Sequence, residues 1–130
     1  MNPMTADYQA IWAEFEGREA AIAPHSPQQV YYGVFFPTDQ EGLDDHLAGM
    51  VVDGVSEAPE GLVLRDVPAA REAVFPCTMA TIGATWASAF EEWFPAHGYE
   101  YDHPTPCYER YVPGPDGVPT VSIHIPVRAR

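Results

Sequence analysis

Glu109 is the residue around which chemistry can gather. It stands in C-Y-E-R-Y-V, residues 107–112, between Tyr108 and Tyr111, and Tyr99 and Tyr101 lie a few positions earlier. Side chains alternate along a strand, so Tyr111 points where Glu109 points, while Tyr108 and Arg110 point the other way. A carboxylate on an apolar wall is costly to bury unpaired, and a bound cation relieves that cost. Aromatic faces add cation–π attraction of about 0.5–2 kcal/mol each. The pattern suits a pocket for a flat or cationic organic molecule. It equally suits an exposed strand acid, the commoner fate of a glutamate.

Other chemistries find less support. Asp44-Asp45-His46 and Asp102-His103 with Cys107 invite a metal reading, but no HExxH and no paired Cys/His spacing is present. No metal and no cofactor is expected. There is no G-x-S-x-G, no phosphate-binding loop and no dinucleotide fingerprint. Cys77 and Cys107 are too few for a disulfide scaffold and read as reduced thiols. Trp86, Phe90 and Trp93 form a helical stripe. Core packing explains Phe90 and Trp93 well enough, and Trp86 is the best of the three for ligand contact.

Charge narrows the partners. Six basic residues, all arginine, stand against 19 acidic ones, for a formal charge of −13. That field repels phosphate backbones and anionic membranes and favours cations. Nucleic-acid binding by this chain alone is not expected. No apolar run approaches the roughly 20 residues of a membrane span, and no secretion signal opens the chain, so a cytoplasmic protein is expected. The 130 residues fit one domain.

Two helices and five strands must position these side chains. Residues 5–23 predict a helix capped by Thr5, with Tyr8, Ile11, Trp12, Phe15 and Ile22 on one face. Strands are expected at 29–36, 46–55, 62–75, 107–112 and 120–128. In the first, Tyr32, Val34 and Phe36 share one face and Tyr31 and Phe35 the other, and Gly33 suggests a bulge or a close backbone approach. The strands flanking E-A-P-E-G should pair as a hairpin. A second helix over 79–94 follows Thr78 as cap and ends at Pro95. P-G-P-D-G-V-P is a strong turn before the last strand. Runs of antiparallel strands with helices on one side make an α+β domain.

Ordered short motifs then carry a resemblance. They are Y-Y-G-V at 31–34, H-L-A-G at 46–49, G-L at 61–62, V-P-A at 67–69 and A-V-F at 73–75. They continue with T-W at 85–86, E-W-F-P-A-H-G-Y-E at 92–100, E-R-Y at 109–111 and I-H-I-P-V at 123–127. In this order the chain resembles the GyrI-like small-molecule-binding domain, the fold of the effector-binding domain of AraC-type and MerR-type transcription regulators. The resemblance implies two β-α-β-β units related by a pseudo-twofold axis, with a ligand cleft between the halves. It implies hydrophobic, often cationic ligands, an acid at the position of Glu109 in the cleft, and an aromatic at Trp86 close by. It also implies a strand before the first helix, for which this sequence has no counterpart. His46 stands where the family commonly has tyrosine. No DNA-binding helix-turn-helix precedes the domain, so a stand-alone module is expected.

The expected ligand-binding set is Glu109, Tyr111, Trp86, Phe90, Tyr32, Phe36, His46 and Met50. The leading reading is a non-enzymatic binder of cationic or amphipathic small molecules, for sequestration or sensing. A second is a hydrolase of strained electrophilic rings, with Glu109 guiding water and Tyr111 donating a proton. A third is an interaction module of the gyrase-inhibiting kind. Partners beyond the small molecule would be a gyrase or a separate DNA-binding protein. A homodimer is also expected, because an absent first strand leaves a sheet edge and both Y-Y-G-V-F-F and S-I-H-I-P-V are apolar enough to seek pairing.

Overall fold

The computed structural model describes residues 6–130. The expected cap Thr5 and the position of the strand before the first helix lie outside the described residues. Helix α1 (Tyr8–Glu16) starts at Asp7, whose side chain accepts from the Ala10 N–H at 3.1 Å. The helix expected to run unbroken to residue 23 stops at Gly17, where poor helix propensity meets the chain's first change of direction. A short α2 (Glu19–Ile22) follows, then a 3-10 turn over Ala23–His25 that contains Pro24.

Six strands form one antiparallel sheet: β1 (Tyr31–Pro37), β2 (Asp44–Gly49), β3 (Glu72–Cys77), β4 (Tyr99–Tyr101), β5 (Cys107–Val112) and β6 (Thr120–Ala129). The order across the sheet is β2-β1-β5-β6-β3, and β4 pairs with the far end of β6. This is the α+β antiparallel architecture that the strand runs predict. Between β3 and β4 lies a continuous helical segment. It comprises a 3-10 turn (Met79–Thr81), α3 (Ile82–Ser88), a π-helical stretch (Ala89–Trp93) and α4 (Phe94–Ala96). Thr78 and Thr81 close its start with reciprocal side-chain-to-backbone bonds. Pro95 sits inside the last turn and not after it, so the helix ends at Ala96, two residues later than expected.

Two expectations fail in the middle of the chain. β2 ends at Gly49 and β3 begins only at Glu72, so the strands expected over 46–55 and 62–75 lose most of their length. They do not pair with each other: β2 pairs with β1, and β3 with β6. Gly54 and Gly61 turn the backbone with φ of 69° and 83°, and Pro59 and Pro68 remove donors that a ladder would need. The strand Tyr99–Tyr101 was not anticipated. It is too short for period-two alternation to show.

The register sorts side chains onto two faces. Gly33, Glu109, Ile123 and Phe75 lie in one row across the sheet. Their face carries the core, with Ile123 and Ile125 fully buried beneath Ala89 and Phe94 of the second helical segment. Burying side chains of that size contributes about 1.5–3 kcal/mol each. Helix α1 covers the same face over β1 and β5, through Trp12 on Tyr111 and Tyr8 on Phe35. The opposite face presents Tyr32, Val34 and Phe36, then Tyr108 and Arg110, then Ser122 and His124. Residues of the segment 50–71, with Ile11, Phe15 and Ile22 from α1 and α2, line a groove together with Tyr32, Val34 and Tyr108 of this face.

Candidate functional site

β1 and β5 are neighbours at the centre of the sheet, and Glu109 faces the space between α1 and α3. Its carboxylate is buried, 7 % exposed, the one charged residue buried so deeply among those described. Two neutral donors hold it. Trp86 Nε1–H donates to Oε2 at 2.7 Å, and the Tyr111 hydroxyl donates to Oε1 at 2.5 Å. Among the described residues, none of the ion pairs involves Glu109. Burying a carboxylate without a cation beside it is costly, and hydrogen bonds offset only part of that cost.

Gly33 lies directly opposite Glu109 in the β1–β5 register. A methyl group there would stand 3.1 Å from His46 Nε2, 3.5 Å from Glu109 Oε1 and 3.6 Å from Trp12 Cζ2. Glycine therefore lets an imidazole, a carboxylate and an indole converge above the sheet, which is the close approach that its place in the strand suggests. His46 enters from β2, where it faces Phe35. Both its ring nitrogens are buried without a hydrogen-bond partner among the described residues. Burial lowers its pKa to about 4, so the ring is neutral at pH 7.

Aromatic rings wall the site. Phe35 lies edge-on to Trp86 at 5.7 Å and tilted against His46 at 4.9 Å. Tyr8 meets His46 edge-on at 5.3 Å, and Trp12 meets Tyr111 at 5.4 Å. Burial, then the charge of Glu109, then the hydrogen bond to it hold the Tyr111 hydroxyl well above its ordinary pKa. Tyr8 is pushed up to about 12 by burial, then by the charges of Glu109 and Asp44. Both phenols therefore remain protonated at neutral pH.

Of the expected set, the structure brings Glu109, Tyr111, Trp86 and His46 together. Phe90 stacks on Trp86 at 6.4 Å but is 43 % exposed and stands at the outer end of the cluster. Tyr32 and Phe36 project from the other face of β1, away from Glu109. Tyr32 contacts Arg110 and Gln28, and Phe36 lies buried under the Arg65 guanidinium at 3.9 Å. Met50 lines a groove of about 1030 Å³ with Tyr32, Val34, Leu47, Leu62 and Tyr108. Glu109 does not line that groove. Its walls include the strandless segment 50–71, and it lacks the buried unpaired charge that marks the Glu109 site. Tyr8, Trp12 and Phe35 were missed as site residues. Tyr8 and Trp12 were read as a core stripe, and the site is what that stripe covers.

Cys107 is pushed up to about 12, chiefly by burial, and is no nucleophile at neutral pH. Among the described residues, no cluster of three metal-ligating side chains forms and no helix is long and apolar enough to cross a membrane.

The GyrI-like small molecule binding domain family matches residues 1–128 of the chain. No curated protein matches it significantly.

Proposed function

The chain belongs to the GyrI-like small molecule binding domain family, and from that premise we propose that its ligand is a cationic aromatic molecule bound over Glu109 between α1 and α3. The observation that carries this is the buried carboxylate satisfied only by neutral donors. A cation placed there supplies the missing charge. The rings of Trp86, Trp12, Phe35 and Tyr8 supply flat surfaces against which it stacks. Because shape and charge dominate and few directional bonds are used, the site would accept many ligands of this class and serve sequestration or sensing.

In the free protein the rings close over Glu109, so binding exchanges contacts. The ligand parts Trp86 and Trp12, and its cationic centre replaces one neutral donor on the carboxylate. His46 remains beside it as a neutral acceptor, which would prefer a cation that still carries an N–H over a fully alkylated one. The short Tyr111–Glu109 bond gives the hydrolytic reading one specific support. It pairs a general base with a proton donor at hydrogen-bond distance. That reading needs a water on Glu109 and an electrophile beside it.

A thermal-shift series on the purified chain tests the proposal. Cationic aromatic dyes should raise the unfolding midpoint in proportion to the logarithm of concentration, and neutral aromatics of the same size should do so far less. Equal shifts for both classes would contradict it. Turnover of a strained-ring electrophile would favour the hydrolase, and co-purification of a gyrase the interaction module.

A further inference from the structure

The sheet face opposite Glu109 carries a second hydrogen-bonded chain of side chains. Ser122 and His124 are two residues apart on β6 and so point to the same face. Ser122 Oγ lies 2.8 Å from His124 Nε2, and His124 Nδ1 lies 3.2 Å from Glu72 Oε1 on β3. The Tyr108 ring stacks on His124, centroids 4.6 Å apart and planes 10° apart, and its hydroxyl donates to the same Glu72 oxygen at 3.2 Å. An ionised carboxylate only accepts, so Nδ1 carries the proton and Nε2 is left to accept from the serine hydroxyl. Hydroxyl, imidazole and carboxylate thus stand in the order that activates a serine as nucleophile, an arrangement recognised by geometry and roles rather than by fold.

Two neighbours complete the requirements of acyl transfer. Arg110 sits directly across from Ser122 in the β5–β6 register, on the same face. Its Nε–H is used on the Tyr32 hydroxyl at 3.3 Å, and the guanidinium carries four further N–H donors suited to an oxyanion. The groove of about 1030 Å³ reaches Tyr108 and Glu72, the two residues that contact His124, and is walled by Val34, Met50 and Leu62, which offers an apolar surface to an acyl chain. Ser122 itself is partly exposed, flanked by the exposed Pro76 of the edge strand β3.

We propose that Ser122, His124 and Glu72 form a second site that hydrolyses esters of apolar carboxylic acids. Ser122 Oγ adds to the ester carbonyl carbon as its proton passes to His124 Nε2. The bond to the alcohol oxygen breaks, and the alcohol leaves with that proton. Water then attacks the acyl-serine, again giving a proton to His124, and the acid departs as Ser122 recovers its hydrogen. Ester and water become acid and alcohol, with no other reactant. Ser122 and His124 are the catalytic residues, and Glu72 is a positioning residue that holds the imidazole tautomer.

The test uses the full chain with p-nitrophenyl butyrate and a fluorophosphonate, read by p-nitrophenol release and by mass mapping of the adduct. One adduct per chain is expected, on Ser122. S122A and H124Q should lose it and lower hydrolysis at least 100-fold, whereas S88A, a helical serine elsewhere, should change neither. E72Q should lower kcat about 10-fold and shift the pH profile with KM little altered. S122C keeps a nucleophile at the same place, so it should still show an acylation burst and guards against a folding defect in S122A. An adduct on another residue, no adduct at all, or S122A hydrolysing as fast as the parent would overturn the proposal.

Discussion

Glu109 and His46 solve opposite problems within one small space. Glu109 collects two hydrogen bonds from neutral donors, and His46 gives up charge because burial penalises it. The sign of the pH effect follows. The folded His46 pKa of about 4 lies below the ordinary 6.5. As pH falls from 6.5 towards 4 the unfolded chain takes up the proton first, so stability present above 6.5 is lost across that window. The loss is on the order of 1–3 kcal/mol. Proton NMR should show the His46 ring still neutral at pH 5.5, and a midpoint near 6.5 would show that burial does not govern it. Gly33 invites the steric test. Gly33→Ala should cost about 1–3 kcal/mol in denaturant unfolding, because its methyl crowds His46 and Glu109, and should weaken ligand binding as well. Unchanged stability together with unchanged affinity would mean that the space above Gly33 is not used. At this scale the sequence disclosed much: Glu109 with Tyr111 on one face, Trp86 on the helix, and the close approach at Gly33. It did not disclose that α1 would supply Tyr8 and Trp12, because periodicity shows which face a helix buries and not what lies beneath it.

Among the elements, strong local signals survived and weak ones yielded to pairing. β5 and β6 appear within a residue of their expected ends, since Val121, Ile123, Ile125 and Val127 alternate along β6 and the Gly-Pro turn before it is unambiguous. Residues 50–55 and 62–71 read as strand by composition alone, with E-A-P-E-G between them as a turn. Their natural partners were already taken, β1 by β2 and β6 by β3, and Gly54, Gly61, Pro59 and Pro68 left no register to slide into. The segment leaves Val51, Val63, Leu64 and Val67 exposed. Its amides should therefore exchange with solvent fast, while those of β6 that lie between β5 and β3 should be protected to near the global unfolding energy. Slow exchange throughout 51–71 would show that this segment is paired in solution. The same topology removes the reason for expecting a dimer through β1 or β6, because both are interior. Among the described residues the open edges are those of β2, which begins with Asp44 and Asp45, of β3 and of the short β4.

For the whole molecule, the question is whether a cation is drawn by Glu109 or by the field of the entire surface. A net charge of −13 attracts any cation, and that attraction fades as salt shortens the Debye length to about 8–10 Å. A contact to a buried carboxylate fades much less. Cationic-dye affinity should fall only modestly between low and physiological salt and then level off. The decisive measurement is a titration of wild type, Glu109→Gln and Glu91→Gln with one cationic and one neutral aromatic ligand of equal size at physiological salt. Glu91 is exposed on the second helical segment, and it serves better than Glu100, which is tied to Arg128 at 3.0 Å. Glu109→Gln keeps the shape and most of the hydrogen bonding. It should weaken the cation by about 1–3 kcal/mol and leave the neutral ligand nearly unaffected, while Glu91→Gln changes neither. Equal losses in the two variants, or no loss in Glu109→Gln, would contradict a cation site built on Glu109.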